Sequence, residues 1–202
     1  MVRGELEDSF VSKLSAGTEF MLALTLKGKV YAWGDGVRGQ LGYGEDVGDE
    51  PQCVPRAVTG DLDGQRVVEV ACGKEHAAAV THAGEIFTWG AGEHGQLGHG
   101  DEESRIAPTV VVELGRLGED QKVCMVACGA VHTVALTEER MLYSFGLGFG
   151  GRLGFGPHRV GNEAFPKVVT ALAQKPLSCI YAGADSTFAL TCPCPADDLA
   201  LR

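Results

Sequence analysis

Apolar and polar positions alternate with period two over short stretches of this chain, and the stretches return at a fixed interval. Glu85-Ile86-Phe87-Thr88-Trp89-Gly90 alternates in this way, residues 67–73 form a β-branched run ending in glycine, and residues 77–81 are a small-residue segment. Each is short and bounded by turn residues, which predicts β-strands. Residues 77–81 and 85–90 predict a hairpin whose turn, residues 81–85, carries Gly84 where a left-handed residue closes a short loop. Residues 25–29 repeat this with Gly28, but in the third copy Arg140 replaces the glycine. Keeping the turn with a side chain there costs roughly 1 kcal/mol. A further candidate strand follows each glycine-rich loop and opens on a proline: residues 55–58, 108–112 and 166–169. No convincing helix is predicted.

The interval is 56 residues, the separation of Gly34 from Gly90 and of Gly90 from Gly146. Trp33, Trp89 and Phe145 open three copies of a block in which the glycines, the leucine (Leu41, Leu97, Leu153) and their spacing are kept. About 17 residues upstream of each aromatic a second block recurs: Ala16-Gly17 leading to Phe20, Cys72-Gly73 to His76, Cys128-Gly129 to His132, and Ala182-Gly183 to Ser186. A register this regular marks one structural unit repeated. The chain divides into a lead-in (1–9), three units (10–66, 67–122, 123–176), the start of a fourth (177–191) and a tail (192–202). Four short antiparallel strands per unit predict an all-β fold of β-propeller blades. Ala77, Ala78 and Ala79 are expected where sheets approach most closely, and Trp33, Trp89 and Phe145 are expected to wedge between blades.

The pairing of a Cys-Gly-x-x-His strand with a Trp-Gly-x-Gly-x-x-Gly-Gln-Leu-Gly-x-Gly turn resembles the repeat of the regulator of chromosome condensation family, over about residues 10–191. That resemblance implies a seven-bladed propeller. It also implies a range of roles: nucleotide exchange on a small GTPase, ubiquitin-ligase modules, ciliary GTPase partners and an ultraviolet-B photoreceptor. Seven units of this length need about 392 residues, whereas 202 residues hold roughly 3.6 units. An open, partial propeller is therefore expected. It is either a piece of a longer protein or an arc completed by a second copy or another subunit, because its end sheets expose apolar surface.

Composition narrows the function. The net charge of −10 repels phosphate backbones and anionic membrane surfaces, so direct nucleic-acid binding is disfavoured, and no hydrophobic run is long enough to span a bilayer, so no membrane insertion is expected. Seven cysteines, an odd count, fit a reducing compartment, so an intracellular location is expected, cytoplasmic or nuclear, with a ciliary one compatible. The Gly34-x-Gly36-x-x-Gly39 spacing matches a dinucleotide fingerprint, but no helix follows it and it recurs at blade spacing, which favours framework over cofactor. No cofactor is expected.

His76 and His132 repeat with the blade, which predicts a structural hydrogen bond within each blade, and no nucleophile or carboxylate is placed to make them catalytic. Cys124 and Cys128 fall on one strand face, too far apart to chelate an ion, and Cys192 and Cys194 lack a second pair, so no metal is expected. The two tryptophans, Trp33 and Trp89, are framework residues, which sets the photoreceptor branch aside.

The strongest surface signal is acidic. Glu45, Asp46, Asp49 and Glu50 follow the glycine block in the first unit, and Asp101, Glu102 and Glu103 follow it in the second. In the third, Arg152, His158 and Arg159 stand in the corresponding region. Such a graded rim either solvates the protein or orients a protein partner. The sequence therefore favours a non-enzymatic interaction or scaffold module, with guanine-nucleotide exchange on a small GTPase as the alternative. The partner class is a protein, either a small GTPase or a neighbouring subunit, and a homodimer is compatible.

Overall fold

A computed structural model describes residues 6, 9–45, 47, 50–115, 122–157 and 161–192. Three four-stranded antiparallel sheets follow one another along the chain, each with its strands in sequence order. The first holds β1 (Val11–Ala16), β2 (Phe20–Thr25), β3 (Val30–Gly34) and β4 (Gln52–Ala57). The second holds β5 (Val67–Cys72), β6 (His76–Thr81), β7 (Ile86–Gly90) and β8 (Arg105–Val110). The third holds β9 (Val123–Cys128), β10 (His132–Thr137), β11 (Leu142–Gly146) and β12 (Glu163–Val168). A two-stranded sheet, β13 (Leu177–Ala182) and β14 (Thr187–Thr191), ends the series. These are propeller blades, and β1, β5, β9 and β13 neighbour one another in succession, as innermost strands around a shared axis do.

Alternation along the second and third strands builds the core between blades. Leu22 and Leu24 project forward from the first blade onto Ala77, Ala79, Phe87 and Trp89 of the second. Ala78, Val80 and Ile86 project forward in turn onto Ala135, Tyr143 and Phe145 of the third. Val134, Leu136 and Leu142 then meet Ile180 and Ala189 of the half-blade. Ala77, Ala78 and Ala79 are fully buried, as are Trp89 and Phe145. Trp33 is only half-buried: no described sheet packs on its flank, where Leu6 packs with Ala23, Tyr31 and Trp33. Burying large aromatics is the main apolar gain of such a junction, and the first blade realises only part of it.

Three details differ from expectation for local physical reasons. The fourth strands begin three residues before their prolines, so Pro55, Pro108 and Pro166 lie inside β4, β8 and β12. Each is the outermost strand of its sheet, where a missing N–H removes no ladder bond. Every first strand carries an irregularity near its start, between Val123 and Met125 in β9, and the extra residue turns Cys124 toward the half-blade while Cys128 packs against the second blade. The two thiols therefore face opposite junctions instead of sharing one face. One four-residue helix, α1 (Val112–Gly115), and three 3-10 turns are the helical content of the described residues.

The hairpin turns follow the sequence. Gly28 and Gly84 have φ of 80° and 85°, and Arg140 takes φ 66° at the same place with the same bond, its N–H donating to the Thr137 carbonyl at 2.9 Å. Arg140→Gly is expected to raise the unfolding free energy by about 1 kcal/mol, read from the denaturant midpoint. An unchanged or lower midpoint would mean that the arginine side chain repays its backbone strain through its own contacts.

Candidate protein-interaction face and the junctions beneath it

Strand register places the β1–β2 type turns and the long β3–β4 type loops at one end of every sheet, since Ala16 pairs with Met21, Phe20 with Gly34, and Gly34 with Gln52. Backbone bonds stitch that end together across blades: Thr18 N–H to Lys74 O at 3.2 Å, Lys74 N–H to Ala130 O at 3.1 Å, and Ala130 N–H to Ala184 O at 2.8 Å. The loops thus share one continuous face, carried on a rigid frame.

Beneath the face, each glycine block presents one carbonyl to the following blade. The Gln40 carbonyl accepts the Trp89 indole N–H at 2.9 Å. At the next junction Phe145 has no N–H to give, and the Gln96 carbonyl accepts the Thr133 hydroxyl at 2.8 Å instead. At the third, the Arg152 carbonyl accepts the Thr187 hydroxyl, also at 2.8 Å. Where the threonine is used, a histidine of the preceding blade joins: His76 Nε2 lies 2.9 Å from Thr133 Oγ1 and His132 Nε2 3.0 Å from Thr187 Oγ1. Each hydroxyl has already given its proton to a carbonyl, so the histidine must donate from Nε2 and Nδ1 is a bare lone pair. Both Nδ1 atoms are buried without a partner. The expected histidine bond therefore runs between blades, not within one.

Burial first, and then the neighbouring His132, pull the His76 pKa down to about 3; burial first, and then the Arg152 cation, pull His132 down to about 4. Both rings are neutral near pH 7 and enclosed, which suits struts and not proton-transfer groups. Burial likewise pushes the Cys72 thiol up to about 12 and Cys128 still higher, so neither is a nucleophile.

On the face itself the acidic loops are partly compensated. Arg56 pairs with Glu45 at 2.5 Å, and Arg105 pairs with Asp101 at 2.6 Å and approaches Glu103 at 3.6 Å. Partial burial raises the Asp101 pKa, but the Glu103 amide and the Arg105 guanidinium outweigh it and hold that carboxyl below the usual range. Glu102 accepts a bond from Asn162 at 3.1 Å, and Glu50 is exposed. Arg152 occupies the place of Gln40 and Gln96, and its side chain is only 7% exposed, held by Asp185 at 2.7 Å and the Phe149 carbonyl at 2.8 Å. It is a strut between the third glycine block and the half-blade. Asp46, Asp49, His158, Arg159 and Cys194 lie outside the described residues.

Gly34, Gly90 and Gly146 share φ near 100° (109°, 95° and 111°) and pass against the start of the second strand: a Cβ on Gly90 would lie 2.5 Å from the Glu75 carbonyl oxygen. They are framework positions, where the close approach of the second strand excludes any side chain. Sequence reasoning missed Thr133 and Thr187, although a hydroxyl residue one position after the histidine or serine of each later block was the available signal.

The regulator of chromosome condensation (RCC1) repeat profile matches residues 27–80, 83–136 and 141–190. The first match begins ahead of β3 and ends within β6, so a sequence unit takes the outer half of one blade and the inner half of the next. Among curated proteins, the human E3 ubiquitin-protein ligase HERC2 is 38% identical over 181 residues, covering 87% of this chain and 4% of that protein. The ultraviolet-B receptor UVR8 of Arabidopsis thaliana is 36% identical over 181 residues, covering 90% of this chain and 39% of the receptor. Among solved structures, human WBSCR16 superposes with a TM-score of 0.79 at 26% identity, over 94% of this chain and 46% of that one. Saccharomyces cerevisiae Prp20p, described with its binding to Gsp1p and histones, gives 0.77 at 20% identity, over 93% of this chain and 45% of its own. The chain thus spans less than half the length of each of these relatives. Three profile matches that recur at the blade period, together with these identities, establish that the chain belongs to the regulator of chromosome condensation (RCC1) repeat family.

Proposed function

We propose that this chain is a non-enzymatic protein-interaction module whose loop-bearing face docks a protein partner. The observation that supports this most is the division of labour in the blades: the repeated histidines, threonines and glycine-block carbonyls are consumed by the junctions. The exposed carboxylates gather at the same end of adjacent blades. A buried frame with charged loops suits recognition, and the junction groups of the described residues supply no reacting group. The proposed setting is intracellular, cytoplasmic or nuclear. No helix of the described residues is long and apolar enough to cross a membrane.

Neutralising the rim tests the reading. The variant Glu45→Gln, Glu50→Gln, Glu102→Gln, Glu103→Gln is expected to weaken a captured partner at least tenfold in physiological salt and to flatten the salt dependence of binding. Unchanged affinity and salt slope would show that the acidic loops only solubilise.

The second reading is guanine-nucleotide exchange on a small GTPase, supported by family membership and by the propeller shared with Prp20p. In that case the face stabilises the nucleotide-free GTPase by binding it more tightly than the loaded form. Acceleration of labelled-nucleotide release across a panel of small GTPases separates the two readings.

A further inference from the structure

At the end of the sheets opposite the loop-bearing face, the junction of the first and second blades holds a cavity of about 330 Å³. Its walls carry Lys27 and Lys29 from the β2–β3 turn and Arg66 from the segment entering β5, and Asp63 is the one described carboxylate among them. Its floor includes Val30, Val58 and Leu62, all buried. The fold draws the three cations to one place: Lys27 and Lys29 flank Gly28, and Arg66 crosses over that glycine, since a Cβ there would lie 2.7 Å from Arg66 Cγ. Lys27, Lys29 and Arg66 are exposed, and among the described residues none of them pairs with a carboxylate. On the loop-bearing face Arg38, Arg56, Lys74, Arg105 and Arg152 each hold one.

We propose that this cavity binds a phosphate monoester, held by Lys27, Lys29 and Arg66. The blade frame does not require these cations. At the second junction Lys122 crosses Gly84 as Arg66 crosses Gly28, yet Ala83 and Glu85 flank that glycine. At the third, Glu139 and Met141 flank Arg140, and Pro176 stands where Arg66 does. The frame thus accepts apolar, acidic and basic residues at these places, and the first junction alone of the three gathers three positive ones. Ala83 is exposed at the place of Lys27 although its sheet lies between two others, so the openness of the site owes nothing to the outer flank of the first blade.

The ligand class follows from charge. Three cations and one carboxylate leave the walls with positive charge in excess, and like charges around one cavity repel one another until an anion enters. A phosphate monoester brings a charge of about −1.5 to −2 and three acceptor oxygens, which match that excess and give each cation a partner. The Arg66 guanidinium offers a fork of N–H donors to two of those oxygens, and each lysine donates as a point charge. A side-chain carboxylate brings a single charge and leaves part of the excess unmatched.

The net charge of −10 does not close the site to an anion. Strands of five and six residues separate it from the acidic loops. Their length is about 20 Å, more than twice the screening length of about 8 Å in physiological salt. The site is therefore independent of the acidic rim and of the role proposed for it.

The test is calorimetric titration of the full chain with two phosphate probes: the peptide Gly-Ser-Leu-phosphoserine-Leu-Ser-Gly, and glucose 6-phosphate. Their controls are the same peptide with serine or glutamate in place of the phosphoserine, and glucose. Saturable binding of a phosphate probe is expected, at least tenfold tighter than its controls. A preference for the peptide supports the site with a phosphorylated protein segment as the source, and a preference for glucose 6-phosphate supports it with a small molecule. Lys27→Ala with Lys29→Glu installs the residues of the second repeat at two exposed positions and should weaken binding at least tenfold, as should Arg66→Gln, whereas Glu45→Gln with Glu50→Gln should leave it unchanged. Absence of saturable binding by both phosphate probes, controls that bind as tightly as the phosphorylated forms, or binding that survives the lysine and arginine substitutions overturns the proposal. The probe comparisons on the unaltered chain decide it even if a variant fails to fold.

Discussion

Trp89→Ala is expected to lower the unfolding free energy by about 4 kcal/mol, and Trp33→Ala, the same residue one repeat earlier, by only about 1–2 kcal/mol. Trp89 is fully buried between two blades, touches the turn at Gly42 and gives its indole proton to the Gln40 carbonyl. Removing it empties the largest buried side chain of the first junction and leaves a carbonyl without its donor, so cavity and lost hydrogen bond add. Trp33 is half-buried on a flank that Leu6 shares, and a truncation there opens onto solvent instead of creating a void. Chemical denaturation of the two variants with one fluorescence and one circular-dichroism probe measures the difference. Equal losses would mean that residues outside the described set complete the first blade as fully as a neighbouring blade completes the second.

The second large effect is acid instability. His76 and His132 have folded pKa values of about 3 and about 4, both below the value of about 6.5 for an unconstrained histidine. A base whose pKa is depressed on folding binds fewer protons in the native state, so stability is fully present above about pH 6.5 and falls as pH drops toward the folded value. Each ring subtracts about 1.4 kcal/mol per pH unit through that window, and several kcal/mol are gone by pH 4. His76→Phe is expected to remove the His76 share of this loss, because Phe20 holds the same place in the first blade, its ring lying against Gly17 as His76 lies against Gly73. The cost is one hydrogen bond at neutral pH, about 1 kcal/mol, since Thr133 still serves the Gln96 carbonyl. Unfolding free energies from pH 7.5 to pH 4.5 should give a shallower slope for the variant. Parallel curves would show that other groups govern acid unfolding.

Blade architecture was legible because its signals are local and repeated. Period-two alternation placed β7 to within a residue, and Gly28 and Gly84 named the hairpin turns. The 56-residue register made three copies vouch for one another. What the sequence hid was whatever depends on the neighbouring sheet. Alternation put Cys124 and Cys128 on one face, but a bulge near the start of β9 intervenes, and bulges leave no periodic trace. Proline was read as a strand boundary, whereas at the outermost edge it costs nothing.

The site was less legible than the fold. Arg152 looks like one more rim cation until the third blade shows it in the place of Gln40 and Gln96, braced by Asp185. Charges in loops can be counted from a sequence, but which of them are spent on one another depends on side-chain geometry. The pairs Arg56 with Glu45 and Arg105 with Asp101 show this directly.

The offset between the family repeat and the blade has an evolutionary consequence. Each tandem copy carries the outer pair of strands of one sheet and the inner pair of the next, as residues 27–80 do. Deleting or duplicating one copy in a gene therefore never strands a lone hairpin, because the splice falls inside a sheet and rejoins it as a chimera of two related halves. A row of blades built this way changes length in whole steps, and neighbouring blades are locked to each other by the polypeptide itself.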